Sequence, residues 1–292
     1  MDITVFVLKL LALCSMLIDH AGFFLYPRFA SRSFTRILRT VGRLAFPVYA
    51  FLIVNGYDKT RDVRRYLTRL SAFALISQLP YVLMVNWKPA AAQGLQLAFS
   101  GFWPLQLALI ALVAWVWLTT VRRDRSVFWP VLALLAGVLR VSAAGVTLLS
   151  EDLNVFYTLA LGLACVSILD RAQKPDRELR PLLLQSAAVA AVFFLIRGTA
   201  DYRYLGVALI VSLGLTRGRR SSQAILLVMW CAVEYLLAGM PAAYFLSAAL
   251  SAVLALLYKG RQGPPVKSFF YWAYPCHLLI LGLVNIALRF RA

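Results

Sequence analysis

The feature that most limits what this chain can fold into is a succession of apolar stretches, each about 17 to 23 residues long, separated by short clusters of charge. At about 1.5 Å rise per residue, such a stretch matches a hydrocarbon core of about 30 Å. Lipid offers no partner to an unpaired backbone group, so a spanning segment is a helix or part of a closed barrel, and a barrel would show shorter strands of alternating character. With 62% of its residues hydrophobic, 14% charged and a mean hydropathy of +0.77, the chain lies far outside soluble composition. The expected fold is all-α: a polytopic membrane bundle of about eleven helices in a single integral membrane domain over residues 1–292.

The apolar runs predict helices near 4–26, 37–57, 70–87, 103–121, 127–149, 153–170, 181–197, 202–216, 221–238, 241–258 and 268–290. Basic residues gather in five connecting loops: Lys59 to Arg69, Arg122 to Arg125, Arg171 to Arg180, Arg217 to Arg220, and Lys259 to Lys267. The positive-inside rule puts these loops in the cytoplasm, with the N-terminus inside and the C-terminus outside. That assignment leaves Arg28, Arg32, Arg36 and Arg39 in an outer loop, against the rule. Either the first helices run the other way, or this loop meets an anionic substrate or headgroup. The net charge of +18 then reflects topology and lipid contact rather than nucleic-acid binding. Cys14, Cys165, Cys231 and Cys276 all fall in apolar runs, without the spacing of a metal site or a disulfide framework. The first run begins at once and carries Asp19 and His20, which does not fit a cleavable signal. Internal symmetry of the kind that builds transporters from inverted halves is not evident.

Ionisable side chains inside lipid cost several kcal/mol unless they face a cavity or a partner. They are few: Lys9, Asp19, His20, Arg43, Arg140, Glu234 and His277. Counted from the cytoplasmic loops, His20, Arg43, Arg140 and Glu234 fall at similar depths in the outer half and His277 nearer the midplane, which predicts one polar cavity with Glu151, Asp152, Asp201 and Arg203 at its mouth. Lys9 and His20 are eleven residues apart, close to three helical turns, so they share a face at about 16 Å separation. An imidazole deep in a helix beside a carboxylate, in a chain with two histidines, points to general acid–base chemistry. Asp19 lies about 100° around the helix from His20 and is better aimed at another helix, with Arg43 as a candidate partner. Blander readings stand beside these: Lys9 as a snorkelling lysine, Arg43 as interhelical glue, and His277 satisfying a carbonyl freed by Pro275.

The strings LKLLALCSMLIDH at 8–20, VGRLAFPVYAFLIVNGYDKTRDVRRYLTRL at 41–70, SQLPY at 77–81, DYRYLGVALI at 201–210 and YPCHLLIL at 274–281 resemble the TraX family. The resemblance spans both ends of the chain and is weaker over about 88–150. The family's namesake N-acetylates pilin subunits in the bacterial inner membrane, and the family is grouped with the acyltransferase-three family and lysosomal heparan glucosaminide N-acetyltransferase. In that wider group a basic residue stands eleven positions before a catalytic first-helix histidine. Here the pair is Lys9 and His20, with lysine where the acyltransferase-three pattern has arginine.

The resemblance implies a multi-pass inner-membrane enzyme that moves an acyl group, most simply acetyl, from cytoplasmic acetyl-CoA to an amine or hydroxyl at the outer face. The acceptor is open between a pilin N-terminus, a surface glycan and a lipid-linked sugar. His20 with Asp19 would carry the chemistry. Arg43, His277, Asp201, Glu234 and Arg140 would meet the substrate, and Lys9, Arg61, Arg64 and Arg65 the donor; no metal is called for. Competing readings are a transporter or flippase, and a non-enzymatic scaffold for pilus or secretion assembly.

Overall fold

Apolar helical runs with no soluble face must pack on one another and on lipid, and helices dominate the computed structural model. It describes residues 3–26, 29–85, 96–99, 103–121, 135, 139–143, 146–149, 153–172, 179–195 and 201–290. Two compact units are present, Met1–Asp58 with Ser212–Ala292, and Lys59–Val211.

The first unit holds α1 (Val5–Leu25), α2 (Arg32–Gly42), α3 (Ala45–Asp58) and three helices from the C-terminal part of the chain. Thr4 starts α1 as its N-cap, accepting from the Val7 N–H, and Ser31 does the same for α2 through the Phe34 N–H. The second unit begins with α4 (Val63–Val85), whose first turn is capped by Asp62, the acceptor for the Arg65 N–H at 3.0 Å. That cap explains why α4 starts earlier than the expected helix at 70, drawing Arg64, Arg65 and Arg69 onto its first turns.

Next come β1 (Gln96–Phe99), α5 (Trp103–Val121), β2 (Leu139–Ala143) and β3 (Val146–Leu149), forming a small antiparallel sheet in the order β1-β2-β3. Residues 139–143 and 146–149 are therefore strands, where a helix over 127–149 was expected. The unit continues with α6 (Val155–Ala172) and α7 (Leu179–Leu195), and α8 (Arg203–Leu215) follows. Asn154 is the N-cap of α6: its Oδ1 accepts from the Phe156 N–H, while its Nδ2 donates to Gln78 Oε1 and the Ala74 carbonyl, each at 2.8 Å. This buried amide joins α6 to α4. Asn154→Ala is expected to cost about 1–3 kcal/mol, because buried partners on α4 lose their bonds, read as a lower thermal midpoint of tryptophan fluorescence in detergent.

In the C-terminal part of the first unit, α9 (Arg220–Cys231) runs into one π-helical turn, Ala232–Leu236, followed by α10 (Ala242–Leu257) and α11 (Lys267–Phe290). Among the described residues four helical stretches are long and apolar enough to cross a membrane: Val5–Leu25, Arg32–Asp58, Val63–Val85 and Ser268–Leu288. Five more apolar helices are shorter, among them Val155–Asp170 and Ala242–Leu257. Large apolar side chains point outward along these elements, Leu246, Ile225 and Ile280 among them, as expected of surfaces that meet acyl chains rather than water.

Candidate functional site

Helical phase sets the site in the first unit. Residues 9 and 20 share one face of α1, and both meet α11: the Lys9 ammonium lies 5.5 Å from the centroid of the Phe270 ring, and His20 meets His277. His20 Nδ1 is 2.6 Å from His277 Nε2, with the rings nearly parallel at 12° and their centroids 4.9 Å apart. His277 Nδ1 is 2.7 Å from the carbonyl of Ala273, one turn back on α11. The bonded carbonyl is thus the one at i−4 from His277, not that of Tyr271, which stands at i−4 from Pro275.

A carbonyl only accepts, and this fixes the protons. Nδ1 of His277 carries hydrogen and donates to Ala273. With both rings neutral, its Nε2 is then bare and accepts from the Nδ1–H of His20, so His20 Nε2 keeps its lone pair and has no hydrogen-bond partner among the described residues. Tyr274 closes one side, its ring 6.2 Å from that of His20 and 5.6 Å from that of His277.

Asp19 faces away from His20, towards α2. It pairs with Arg43, and with Arg39 at 3.3 Å. Arg43 Nε also donates to the Arg39 carbonyl at 3.1 Å, and its guanidinium lies 5.5 Å from the Tyr244 ring centroid on α10. Small residues permit this close approach. Gly42 has no room for a Cβ, which would overlap the Cβ and carboxyl of Asp19, and a Cβ on Gly22 would come within 2.8 Å of Leu38 Cβ. The hydroxyl of Ser15 donates to the Val41 carbonyl at 2.7 Å along the same seam.

Behind Arg43 an aromatic series runs from Tyr244 to Tyr235 and Trp230 and ends on Phe46. Tyr235 belongs to the π-helical turn that also carries the half-buried Glu234.

The other expected residues have different places. Arg140 lies in β2 opposite Ala98, not inside a transmembrane helix. Asp201 belongs to the second unit and organises a turn: its carbonyl accepts from the Thr158 hydroxyl, its Oδ1 from the Tyr202 N–H at 3.1 Å, and Tyr202 and Arg203 both take positive φ there. Arg61, Arg64 and Arg65 are also in the second unit, and Arg65 pairs with Asp62 at 3.1 Å. Glu151 and Asp152 fall outside the described residues. Of the residues expected in the cavity, His20 meets His277 directly, while Arg43 meets Asp19 in a separate pair on the other side of α1.

Arg32, Arg36 and Arg39 were read as loop residues, but they lie on α2. Arg39, Tyr244 and Tyr274 were missed as part of the site. The i, i+4 spacing of Arg39 and Arg43, and Tyr274 three positions before His277, are the signals that carried them.

Comparison with known proteins places this site in context. The family model described as TraX protein matches residues 5–149 and 132–285. The chain is 31% identical over 115 residues to a probable fimbrial assembly protein, FimC of serogroup H1, from Dichelobacter nodosus, covering 38% of this chain and 46% of that protein. It is 38% identical over 73 residues to an uncharacterised protein of Rickettsia prowazekii (strain Madrid E), 25% of either chain. The matched segments span less than half the length of these curated relatives. No solved structure matches the chain.

Proposed function

The chain belongs to the TraX family, and on that premise we propose that it is a multi-pass transmembrane acyltransferase of the bacterial inner membrane, with about eleven spans in one domain, the N-terminus inside and the C-terminus outside. It transfers an acyl group, acetyl in the simplest case, from cytoplasmic acyl-CoA to an amine or hydroxyl at the outer face. The observation that carries the reading is the geometry of the histidine pair, His20 Nδ1 at 2.6 Å from His277 Nε2 and His277 Nδ1 at 2.7 Å from the Ala273 carbonyl, from which His20 Nε2 follows as the acceptor with no partner among the described residues.

In this reading the acceptor's N–H or O–H proton passes to His20 Nε2 as the nucleophile bonds to the thioester carbon. The C–S bond then breaks and the leaving thiolate takes the proton from His20 Nε2, which returns the imidazole to its neutral form. As His20 becomes cationic, its Nδ1–H stays on His277 Nε2, which spreads the charge. The alternative course, in which His20 carries the acyl group itself, uses the same nitrogen. His277 has no N–H left for an oxyanion in this tautomer, so it acts as a positioning residue. Asp19 and Arg43 neutralise one another and hold α1 against α2, one residue from His20. Lys9 stands on the face of α1 that His20 shares, about 16 Å towards the other end, where the charged end of a donor would enter. Arg61, Arg64 and Arg65 are further candidates for donor phosphates, and Arg140, Asp201 and Glu234 for contacts with the acceptor.

The test is purified protein in detergent with acetyl-CoA, followed by calorimetry and free-thiol release. Donor binding with slow thiol release is the expected result; failure to bind acyl-CoA of any chain length overturns the donor assignment. A second reading, an assembly scaffold without catalysis, draws on the name of the Dichelobacter nodosus relative. A scaffold would support fimbrial assembly as well with His20→Ala as with the native residue, whereas an enzyme would not.

A further inference from the structure

The helix α2 has three faces, and the acyltransfer reading uses one. Thr35 and Gly42 are buried, Gly42 against α1. Phe34, Ile37 and Val41 are 50%, 62% and 41% exposed on a second, apolar face. The third face carries Arg32, Arg36, Arg39 and Arg43, whose spacing of four, three and four residues keeps them within a stripe about 60° wide.

Depth follows from length. The stretch Arg32–Asp58 has 27 residues, about 40 Å at 1.5 Å each, against a hydrocarbon core of about 30 Å. The excess of about 10 Å, close to two turns, takes in the charged first turns of α2, because α3 is apolar from Ala45 to Val54. Arg32 and Arg36 therefore stand at headgroup level while Phe34, Ile37 and Val41 reach acyl chains. This is the division of faces expected of a helix lying in the membrane interface.

Charge selects the occupant. Asp19 is the acidic partner at the deep end, shared by Arg39 and Arg43. At the outer end, Arg32 and Arg36 are exposed and have neither an ion pair nor a hydrogen bond from their guanidinium groups to any described residue. Guanidinium groups in a row with an apolar face beside them suit a ligand that is a phosphate monoanion on one side and hydrocarbon on the other. We propose that the arginine stripe of α2 is a binding site for the phosphate of an anionic phospholipid, seated beside the seam in which Asp19 of α1 meets α2.

The test does not depend on acyl transfer. The purified full chain in detergent is mixed with equal amounts of phosphatidylglycerol and phosphatidylcholine, and retained lipid is counted by native mass spectrometry. The native protein should favour phosphatidylglycerol, and R32Q/R36Q should lower that preference roughly 30-fold, at about a factor of five per arginine. R32K/R36K, which keeps the charge, should retain most of it, and R219Q, at an exposed arginine elsewhere in the same unit, should change nothing. An unchanged preference in R32Q/R36Q overturns the proposal. So does displacement of the lipid by millimolar inorganic phosphate, which would make the site one for a free anion, or by micromolar acidic oligosaccharide, which would make it one for a glycan. If R32Q/R36Q fails to fold, the single variant R32Q, at the exposed outer end of the stripe, should give about a fivefold loss, and no loss there overturns the proposal.

Discussion

His20→Ala is expected to lower thiol release and acyl transfer by about 100- to 10,000-fold, the range for loss of a positioned general base, with donor binding unchanged. The argument is in the proton order. The Ala273 carbonyl holds hydrogen on His277 Nδ1, that leaves His277 Nε2 to hold hydrogen on His20 Nδ1, and His20 Nε2 is the nitrogen with a lone pair to spare. His277 acts through His20, so His277→Ala should cost less, on the order of tenfold to a hundredfold, as for groups that orient another functional imidazole. The loss should fall on kcat rather than KM. His277→Gln supplies an amide oxygen that can accept the His20 Nδ1–H and is expected to recover part of the rate. If His277→Ala matches His20→Ala while His277→Gln recovers nothing, His277 touches the substrate and the assignment of roles is wrong.

The outer helices were legible in the chain because each apolar run ends at a charge cluster: the expected 4–26 and 268–290 are found as Val5–Leu25 and Lys267–Phe290. Two departures have clear causes. In 127–149 the apolar content hid a change of type, since Leu139–Ala143, with Val141, and Val146–Leu149, with Val146 and Thr147, are short segments on either side of Ala144-Gly145 in the sequence. A short apolar run does not distinguish buried strand from helix by periodicity. At 28–39 the arginines looked like a loop running into the helix expected at 37–57, and the stripe formed by Arg32, Arg36 and Arg39 is visible only once a helix is drawn through them.

The site divides in the same way. The direction of Asp19 and the shared face of Lys9 and His20 follow from 100° per residue along one helix. Nothing local couples His20 to a residue 257 positions later, because that contact is made by the packing of α1 on α11. Likewise, the need for glycine at 42 is invisible until α2 lies on Asp19.

The seam between α1 and α2 yields the largest expected loss of stability. Asp19 is 13% exposed and Arg43 14%, so Asp19→Ala leaves Arg43 partly desolvated without its carboxylate, expected to cost about 3–5 kcal/mol. The charge-free pair Asp19→Leu with Arg43→Met should be milder than either single change, because neither ion is then left alone. Gly42→Ala adds one methyl group, yet it should cost at least about 1–3 kcal/mol, because the new carbon collides with α1 itself. The collision involves the Cβ of residue 19 as well as its carboxyl, and this separates sterics from charge. Asp19→Ala keeps a Cβ, so adding Gly42→Ala to it should still lower the thermal midpoint. Asp19→Gly removes that carbon, so Gly42→Ala on that background should cost little, because the roughly 1 kcal/mol that glycine at 19 costs within a helix is already in the background and cancels. A double-mutant cycle by tryptophan fluorescence melting reads the difference directly. Equal losses on both backgrounds would mean that α2 does not rest on Asp19 in the membrane.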